Sequence, residues 1–547
     1  MLATSEHLFP VLTDAQMRRV ASHGRRRATM RGDVLVDVRV KEVPFFVVLS
    51  GEILVLRPGE AAEIPIAVHR RGQFNGEGNM LSGRPSMTQL RVTESGEVIE
   101  LTRDQLLALI QTDAELSQIL MRSFILRRQA LIAQDLGDVV VIGSAHNPGT
   151  LRVKTFLTRN GHPFHYVDLD HDGETQELLD RFRVSQADVP IVICRAETVL
   201  RNPTNAEVAA CLDFNEALDQ ARVYDVIVAG GGPAGLAAAV YGASEGLDVV
   251  VLESNVPGGQ AGSSSRIENY LGFPTGISGL ELAGRAYAQA LKFGSHIMVA
   301  TGATTLACHG QHAVVSGGGL TLAARTVIIA TGAEYSKPAI DNLSAFEGAG
   351  VYYAATRMEA QLCVGDEVAV VGGGNSAGQA AVFLAETAAR VHLLVRGDRL
   401  SETMSRYLIR RIEENPAIVL HPRTEIVELQ GNGSLDRLTW RSGATSDRET
   451  RDIRHVFLMT GAVPNTQWLN GSVVLDQKRF VKTGSDLSAE DLAAAQWPLA
   501  RPPFLLETSH PGIFAVGDVR SGNVKRVASA VGEGSIAVAF IHQVLQQ

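Results

Sequence analysis

The chain has 547 residues, 45% apolar and 20% charged, with a formal net charge of −9 at pH 7, which implies several domains and gives no basic footprint for nucleic acid. No charge-free apolar run reaches the ~18 residues of a membrane span, and the N-terminus, MLATSEHLFPVL, lacks the basic start and apolar core of a secretion signal. The cysteines Cys194, Cys211, Cys308 and Cys363 form no C-x-x-C pair, and scattered thiols suit a reducing cytoplasm better than a disulfide framework.

Residues 1–135 are basic in places (Arg25-Arg26-Arg27, Arg70-Arg71). Strand-like runs, Pro44 to Leu49 and Gly51 to Leu56, are separated by glycine turns. Arg103 to Gln134 carries Leu106, Leu107, Ile110, Leu116, Ile119, Leu120 and Ile132 near helical spacing, predicting one or two amphipathic helices. A small β-roll followed by helices resembles the cyclic-nucleotide-binding domain, and Gly72-Gln73-Phe74-Asn75-Gly76-Glu77-Gly78-Asn79-Met80-Leu81 is similar to that family's phosphate cassette. The resemblance implies a Gly-Glu pair at the cyclic ribose phosphate and an arginine about ten residues later. Here Ser86 and Met87 stand at that distance, and the nearest arginine is Arg84, before Pro85. A phosphate without its guanidinium loses a bidentate, charge-assisted contact. The expectation is therefore an altered ligand or an architectural role, with a cyclic nucleotide as the alternative. No helix-turn-helix follows, so DNA binding is not expected.

Residues 137–215 read as strand Asp138 to Gly143, helix Arg152 to Asn160, strand Phe164 to Leu169, and a third strand, Val189 to Ile193, holding Pro190. This order, with an X-Pro before a strand, resembles the thioredoxin/glutaredoxin fold, which implies a cis proline facing a redox dithiol. The four dithiol positions read Asn147-Pro148-Gly149-Thr150. Without a thiolate nucleophile, the module is expected to be redox-dead and to serve docking or dimerisation. Cys194 and Cys211 are expected in the core.

Residues 223–337 open on the stretch VYDVIVAGGGPAGLAAAVYGASEGLDVVVLE. A short β-branched strand enters Gly230-Gly231-Gly232-Pro233-Ala234-Gly235, an alanine-rich helix follows, and the next strand stops at Glu253. In this G-x-G-x-x-G turn, Gly230 permits the tight bend and Gly232 the approach of a pyrophosphate. Gly235 permits close helix–strand packing, and Glu253 can reach a ribose hydroxyl. Next come Pro257-Gly258-Gly259-Gln260, Ile267-Glu268-Asn269-Tyr270-Leu271-Gly272-Phe273-Pro274 and Val327-Ile328-Ile329-Ala330-Thr331-Gly332-Ala333. Near the C-terminus lie Thr508 to Asp518, ending Gly517-Asp518, and Gly522 to Gly534 with Lys525-Arg526-Val527. In collinear order over some 320 residues, these motifs resemble the thioredoxin reductase family. The resemblance implies an FAD site built from them, with Lys525 and Arg526 near the flavin ring where the family has Arg-Gln.

A second turn, Gly372-Gly373-Gly374-Asn375-Ser376-Ala377, follows strand Glu367 to Val371, and the next strand, Val391 to Val395, ends in Arg396. Arg396 with Arg399 suits the 2′-phosphate of NADP(H), with NADH as the alternative. The expected architecture is an α/β multidomain chain with two nested Rossmann-like folds. FAD would bind to 223–337 plus 465–547, NADP to an inserted 338–464, with hinges at Lys337-Pro338 and Ala462-Val463-Pro464. Where the family carries C-A-T-C, this chain reads Ala354-Ala355-Thr356-Arg357. Cys363 is expected to be structural, with a single-thiol redox role as the alternative, and Arg357 either stabilises reduced flavin or makes a surface ion pair.

The implied protein is a cytoplasmic, homodimeric FAD-dependent NAD(P)H oxidoreductase. It passes electrons directly to oxygen, a quinone, a carrier protein or an external disulfide. Thioredoxin reduction through an external dithiol, or a nucleotide-binding sensor without turnover, are the alternatives.

Overall fold

The computed structural model describes residues 5–38, 40–57, 63–76, 79–133, 139–170, 185, 188–195, 198–309 and 312–546. In the N-terminal unit, strands Arg25–Thr29, Gln89–Leu101, Phe45–Arg57 and Ile64–His69 lie side by side in that order, with Val34–Val36 also on Gln89–Leu101. The two strand-like runs predicted on either side of Gly51 are one strand. Gly51 takes φ +80° while the register against Gln89–Leu101 slips between Val48 and Ser50, between Ser50 and Glu52, and again before Ile53. Bulges thus absorb the glycine where the sequence predicts a turn. Phe45, Phe74 and Phe124 meet inside, with ring centroids 5.6 to 6.3 Å apart. The predicted amphipathic segment is two helices, Arg103–Thr112 and Ala114–Ala133. The break is Asp113, in extended conformation, whose carboxylate accepts the Leu116 N–H at 3.0 Å.

The next unit has strands in the order His165–Asp168, Val139–Gly143, Ile191–Cys194, Thr198–Arg201. The first pair is parallel and the others antiparallel. Its helix, Pro148–Arg159, starts four residues before the expected Arg152. Asn147 caps it through the Thr150 N–H at 3.1 Å and Pro148 occupies the first turn. The Val189–Pro190 bond is cis, and a β-carbon at Gly149 would lie 2.8 Å from Pro190 Cδ. Asp138, predicted to begin the first strand, lies outside the described residues.

The first nucleotide fold is a seven-stranded sheet. Val223–Ala229, Val249–Leu252, His296–Met298, Leu320–Ile329 and Ile513–Ala515 run parallel, and the hairpin Thr305–His309/His312–Gly317 lies at one edge. The last of these parallel strands comes from the far end of the chain, so the fold closes around an insertion. Helix Val527–Leu545 is long and apolar enough to cross a membrane. It packs instead on helix Pro233–Ser244 with Ala530, Gly534, Ala537, Val538 and Ile541 buried. A β-carbon at Gly534 would stand 2.3 Å from the Ala234 carbonyl oxygen.

The inserted fold has a parallel five-stranded sheet, ordered Val351–Tyr352, His455–Leu458, Glu367–Val371, Arg390–Val395, Ile418–Pro422. Two short antiparallel strands, Ala333–Tyr335 and Ala462–Pro464, connect the two folds. The second of these is the predicted hinge, and the first lies just before the predicted Lys337-Pro338.

The units share apolar interiors. The N-terminal core is continuous with that of the first nucleotide fold. Val153, Phe156 and Leu157 pack with Val256 and Val299, and Leu151 packs against the cluster of Tyr352, Ala355 and Cys363.

Candidate functional site

Both glycine turns open into one cavity of about 980 Å³. In the first turn Gly230 has φ +110° and a β-carbon there would meet the Ala330 carbonyl oxygen at 2.3 Å. A β-carbon at Gly235 would stand 1.9 Å from the Gly230 oxygen, so this position serves packing and does not line the cavity. Gly232 caps helix Pro233–Ser244 without any side-chain hydrogen bond, leaving its first N–H groups to an anion.

Glu253 ends the second strand as predicted. Its carboxylate accepts the Gly231 N–H at 2.7 Å and the Asn255 N–H at 2.8 Å. Complete burial pushes this carboxyl above the usual glutamate range, against the two backbone donors and the Arg159 charge.

The remaining wall comes from separate parts of the chain. Gln260 donates to the Ala333 carbonyl. Thr331 Oγ1 donates to Asn465 O at 2.7 Å and Asn465 Nδ2 to Thr331 O at 3.0 Å, tying the chain beside the two connecting strands. Glu533, on the last helix, accepts the Gly517 N–H at 2.7 Å and the Arg520 guanidinium at 2.6 Å, fixing the turn that presents Asp518. Burial raises the Asp518 carboxyl, as expected of a group facing a closed space. Lys525 donates to the Asp518 carbonyl at 3.0 Å and lies over the Phe480 ring.

The second turn is more open. Gly372 has φ +147° and its β-carbon would meet Met459 O at 2.2 Å, whereas Gly374 has nothing within 4 Å of that position. Thr403 donates to Gly373 O at 2.7 Å, and Asn375 Oδ1 accepts the Ser405 N–H at 2.8 Å. Arg396 and Arg399 are exposed on the cavity rim and make no ion pair among the described residues, because Asp398 between them is held by Arg423.

The cavity therefore unites most of the sequence-predicted residues. They are Gly230, Gly232, Pro233, Ala234, Glu253, Gly259, Gln260, Asn269, Ala330, Thr331, Gly332, Gly517, Asp518, Lys525, Arg526 and Val527, with Gly372, Gly374, Asn375, Ser376, Arg396 and Arg399. Ala377, like Gly235, is buried behind its turn. Arg159, Tyr335, Gln379 and Trp468 also line it. No motif marks them, because they arrive from other elements through tertiary packing.

A second cavity of about 610 Å³ adjoins the first along Gln260, Tyr335 and Ser376. Its walls include Pro148 and Leu151 on one side and Tyr352, Tyr353, Ala354 and Ala355 on the other. A β-carbon at Gly348 would lie 2.7 Å from Pro148 Cβ. The helix start Asn147–Thr150 thus faces the Ala354–Arg357 segment.

Neither Arg357 nor Cys363 lines the cofactor cavity. Arg357 is exposed at the first position of helix Arg357–Leu362 and lines neither cavity. The Thr356–Glu359 capping box fixes that helix start. Cys363 is fully buried beside the Glu359 and Ala360 carbonyls, and burial pushes its thiol up to about 12. Such a thiol supplies little nucleophilic thiolate.

In the N-terminal unit Arg84 turns away from the cassette. It is buried, lies 4.0 Å over the Phe214 ring and donates to Asn160 O at 3.2 Å. The cassette backbone is held by Arg127, which donates to Phe74 O at 3.0 Å and Gly76 O at 2.9 Å. Glu77 and Gly78, the expected ribose-phosphate contacts, lie outside the described residues.

Residues 224–534 match the family model described as pyridine nucleotide-disulphide oxidoreductase. The chain belongs to that family. Residues 27–113 match the cyclic nucleotide-binding domain. Thioredoxin reductase of Bacillus subtilis (strain 168) is 30% identical over 331 residues, 60% of this chain and 97% of the relative. NADPH-dependent thioredoxin reductase 3 of Arabidopsis thaliana is 31% identical over 322 residues, 58% of this chain and 57% of the relative. The crystal structure of Lactococcus lactis thioredoxin reductase superposes with TM-score 0.53 at 26% identity, over 59% of this chain and 100% of that one. Members of the family are FAD- and NAD(P)H-dependent oxidoreductases, and the residues here fit both groups. The uncapped helix at Gly232 and the crowded Gly230 and Gly235 suit a resident dinucleotide. The open Gly374 and the unpaired rim arginines suit an exchanging one.

Proposed function

We propose that this family member passes electrons from its flavin directly to an acceptor, without an internal dithiol relay. FAD supplies the redox chemistry when bound; the chain supplies binding, orientation and charge. The observation that carries this reading is the occupancy of the redox segment. Alanine and arginine stand at 354 and 357, and helix Pro148–Arg159 covers the neighbouring Gly348 and Ala355. That helix narrows the approach to Ala355, and Cys363 is sealed in the core.

On this reading Gly230, Gly232, Gln260 and Asp518 hold FAD, and Gly372, Gly374, Arg396 and Arg399 hold NADPH in preference to NADH. The second unit is a thioredoxin-like module without redox cysteines, a reading supported by its strand order. The second cavity, lined by Tyr335, Tyr352, Tyr353 and Phe156, gives a small acceptor such as a quinone a place beside the cofactor cavity. The N-terminal unit regulates the rest, with a cyclic nucleotide or an altered ligand as its input.

The test is anaerobic rapid mixing of the flavin-loaded chain with NADPH and with NADH. Bleaching of the flavin band, faster with NADPH, is expected; no bleaching with either ends the oxidoreductase reading. Steady-state NADPH oxidation against oxygen, quinones and carrier proteins then identifies the acceptor. The similarity to thioredoxin reductases favours a second reading, thioredoxin reduction through an external dithiol. Substantial turnover in a thioredoxin-coupled disulfide assay would establish it and displace the first.

A further inference from the structure

Arg159 ends helix Pro148–Arg159, in a unit that precedes the first nucleotide fold, yet its guanidinium forms part of the cofactor cavity wall. Nη2 donates to Gly259 O at 2.6 Å, while Nε is buried without a hydrogen-bond partner. The buried Nε lies behind the cavity wall, and a half-buried guanidinium that lines a cavity calls for an anion at its terminal nitrogens. No carboxylate forms an ion pair with it among the described residues; Glu253, the strongest charged influence on it, spends both oxygens on backbone N–H groups.

The surroundings are shaped for this side chain. A β-carbon at Gly262 would stand 2.7 Å from Arg159 Nη2, so a larger residue there would displace the guanidinium. Gly259 is in turn against the phosphate turn, since a β-carbon on it would lie 3.0 Å from Gly232 Cα. The guanidinium and the uncapped helix N-terminus at Gly232 thus converge on one region of the cavity.

We propose that Arg159 is an FAD-binding residue, supplied by the second unit, whose guanidinium takes the cofactor's diphosphate together with the helix N-terminus at Gly232. The next two residues anchor it to the N-terminal unit. Asn160 O accepts from Arg84 and Gly161 O accepts from Arg128, two cations at the negative end of the helix. The same helix Ala114–Ala133 that carries Arg128 holds the cassette carbonyls through Arg127. A short series of contacts therefore joins the cassette to the flavin site. The proposal rests on the FAD part of the preceding reading and is independent of which acceptor is used.

The experiment measures FAD binding to the deflavinated full chain by flavin fluorescence, for wild type, Arg159→Gln and Arg159→Lys, with circular dichroism to confirm folding. Loss of one charge-assisted hydrogen bond predicts a dissociation constant raised roughly tenfold or more in Arg159→Gln, largely recovered in Arg159→Lys. In competition against FAD, ADP should weaken by the same factor in Arg159→Gln and adenosine should not. A dissociation constant within about twofold of wild type, equal weakness of both variants, or equal loss of ADP and adenosine binding each overturns the assignment. Should Arg159→Gln not fold, wild type alone decides: ADP must bind the deflavinated chain at least about tenfold more tightly than adenosine. Failure of NADPH to bleach the flavin would leave these binding constants unchanged, so the two readings fail separately.

Discussion

The two glycine turns share a motif and a cavity but differ in how they are enclosed. The first is crowded at Gly230, against Ala330, and at Gly235, against Gly230, with Glu253 buried and Arg159 brought in from another unit. The second is crowded only at Gly372, is open at Gly374, and ends in exposed arginines. A buried site with many fixed partners holds its ligand for long periods, whereas an open one lets it exchange. On the proposed reading, the same fold serves as the seat of a resident cofactor in one copy and of a turning-over substrate in the other.

The largest test of that contrast is a pair of substitutions. Gly230→Val places a β-carbon 2.3 Å from a backbone oxygen at φ +110°, so the purified protein should carry no flavin absorbance. Gly374→Ala meets no protein atom within 4 Å and should leave flavin content intact, while its new methyl group enters the space where a pyrophosphate approaches the backbone and should weaken NADPH binding about tenfold. Next in size, Arg396→Ala should raise the KM for NADPH about tenfold to a hundredfold and change that for NADH little, since only one carries the 2′-phosphate.

A pH test addresses the enclosed turn. The Glu253 carboxyl is raised in the fold, so it binds its proton more tightly there than in the unfolded chain. The flavin-free protein should therefore lose stability as pH rises from about 4.3, the ordinary glutamate value, toward the folded value. In thermal melts the gap between wild type and Glu253→Gln should change across that range and stay constant above it. Parallel melts throughout would show that the buried carboxyl carries no such penalty. The smallest effect is expected from Arg128→Gln, which frees the Gly161 carbonyl and should speed FAD release about threefold without altering the NADPH KM.

The enclosed parts of both turns are legible because they are local: strand, glycines, helix and terminal acid or arginine follow one another within about thirty residues. Glu253, Arg396 and the strand Glu367–Val371 stand where the pattern places them. What is not legible depends on tertiary contacts. Arg84 is the arginine nearest the position the cassette leaves empty, and only the fold shows that Phe214 and Asn160 hold it from another unit. Arg159 lies in an ordinary helix end and gains its place only when that helix lands on Gly259. Phe45–Arg57 reads as two strands because a glycine suggests a turn, while the bulges that accommodate it depend on its partner strand.

Pro148 and Leu151, which sit on Gly348 and the Tyr352 cluster, bear on what can be cut from this chain. The family match begins at residue 224, yet the folded unit does not. A protein expressed from that point would lose the cover over Gly348, the packing of Phe156 and Leu157 on Val256 and Val299, and the Arg159 contact with Gly259. It would present fresh apolar surface and should aggregate. The preceding units are therefore no detachable attachment to a self-sufficient enzyme, and a fusion or a homology-guided truncation at that boundary would remove part of the wall that encloses the cofactor.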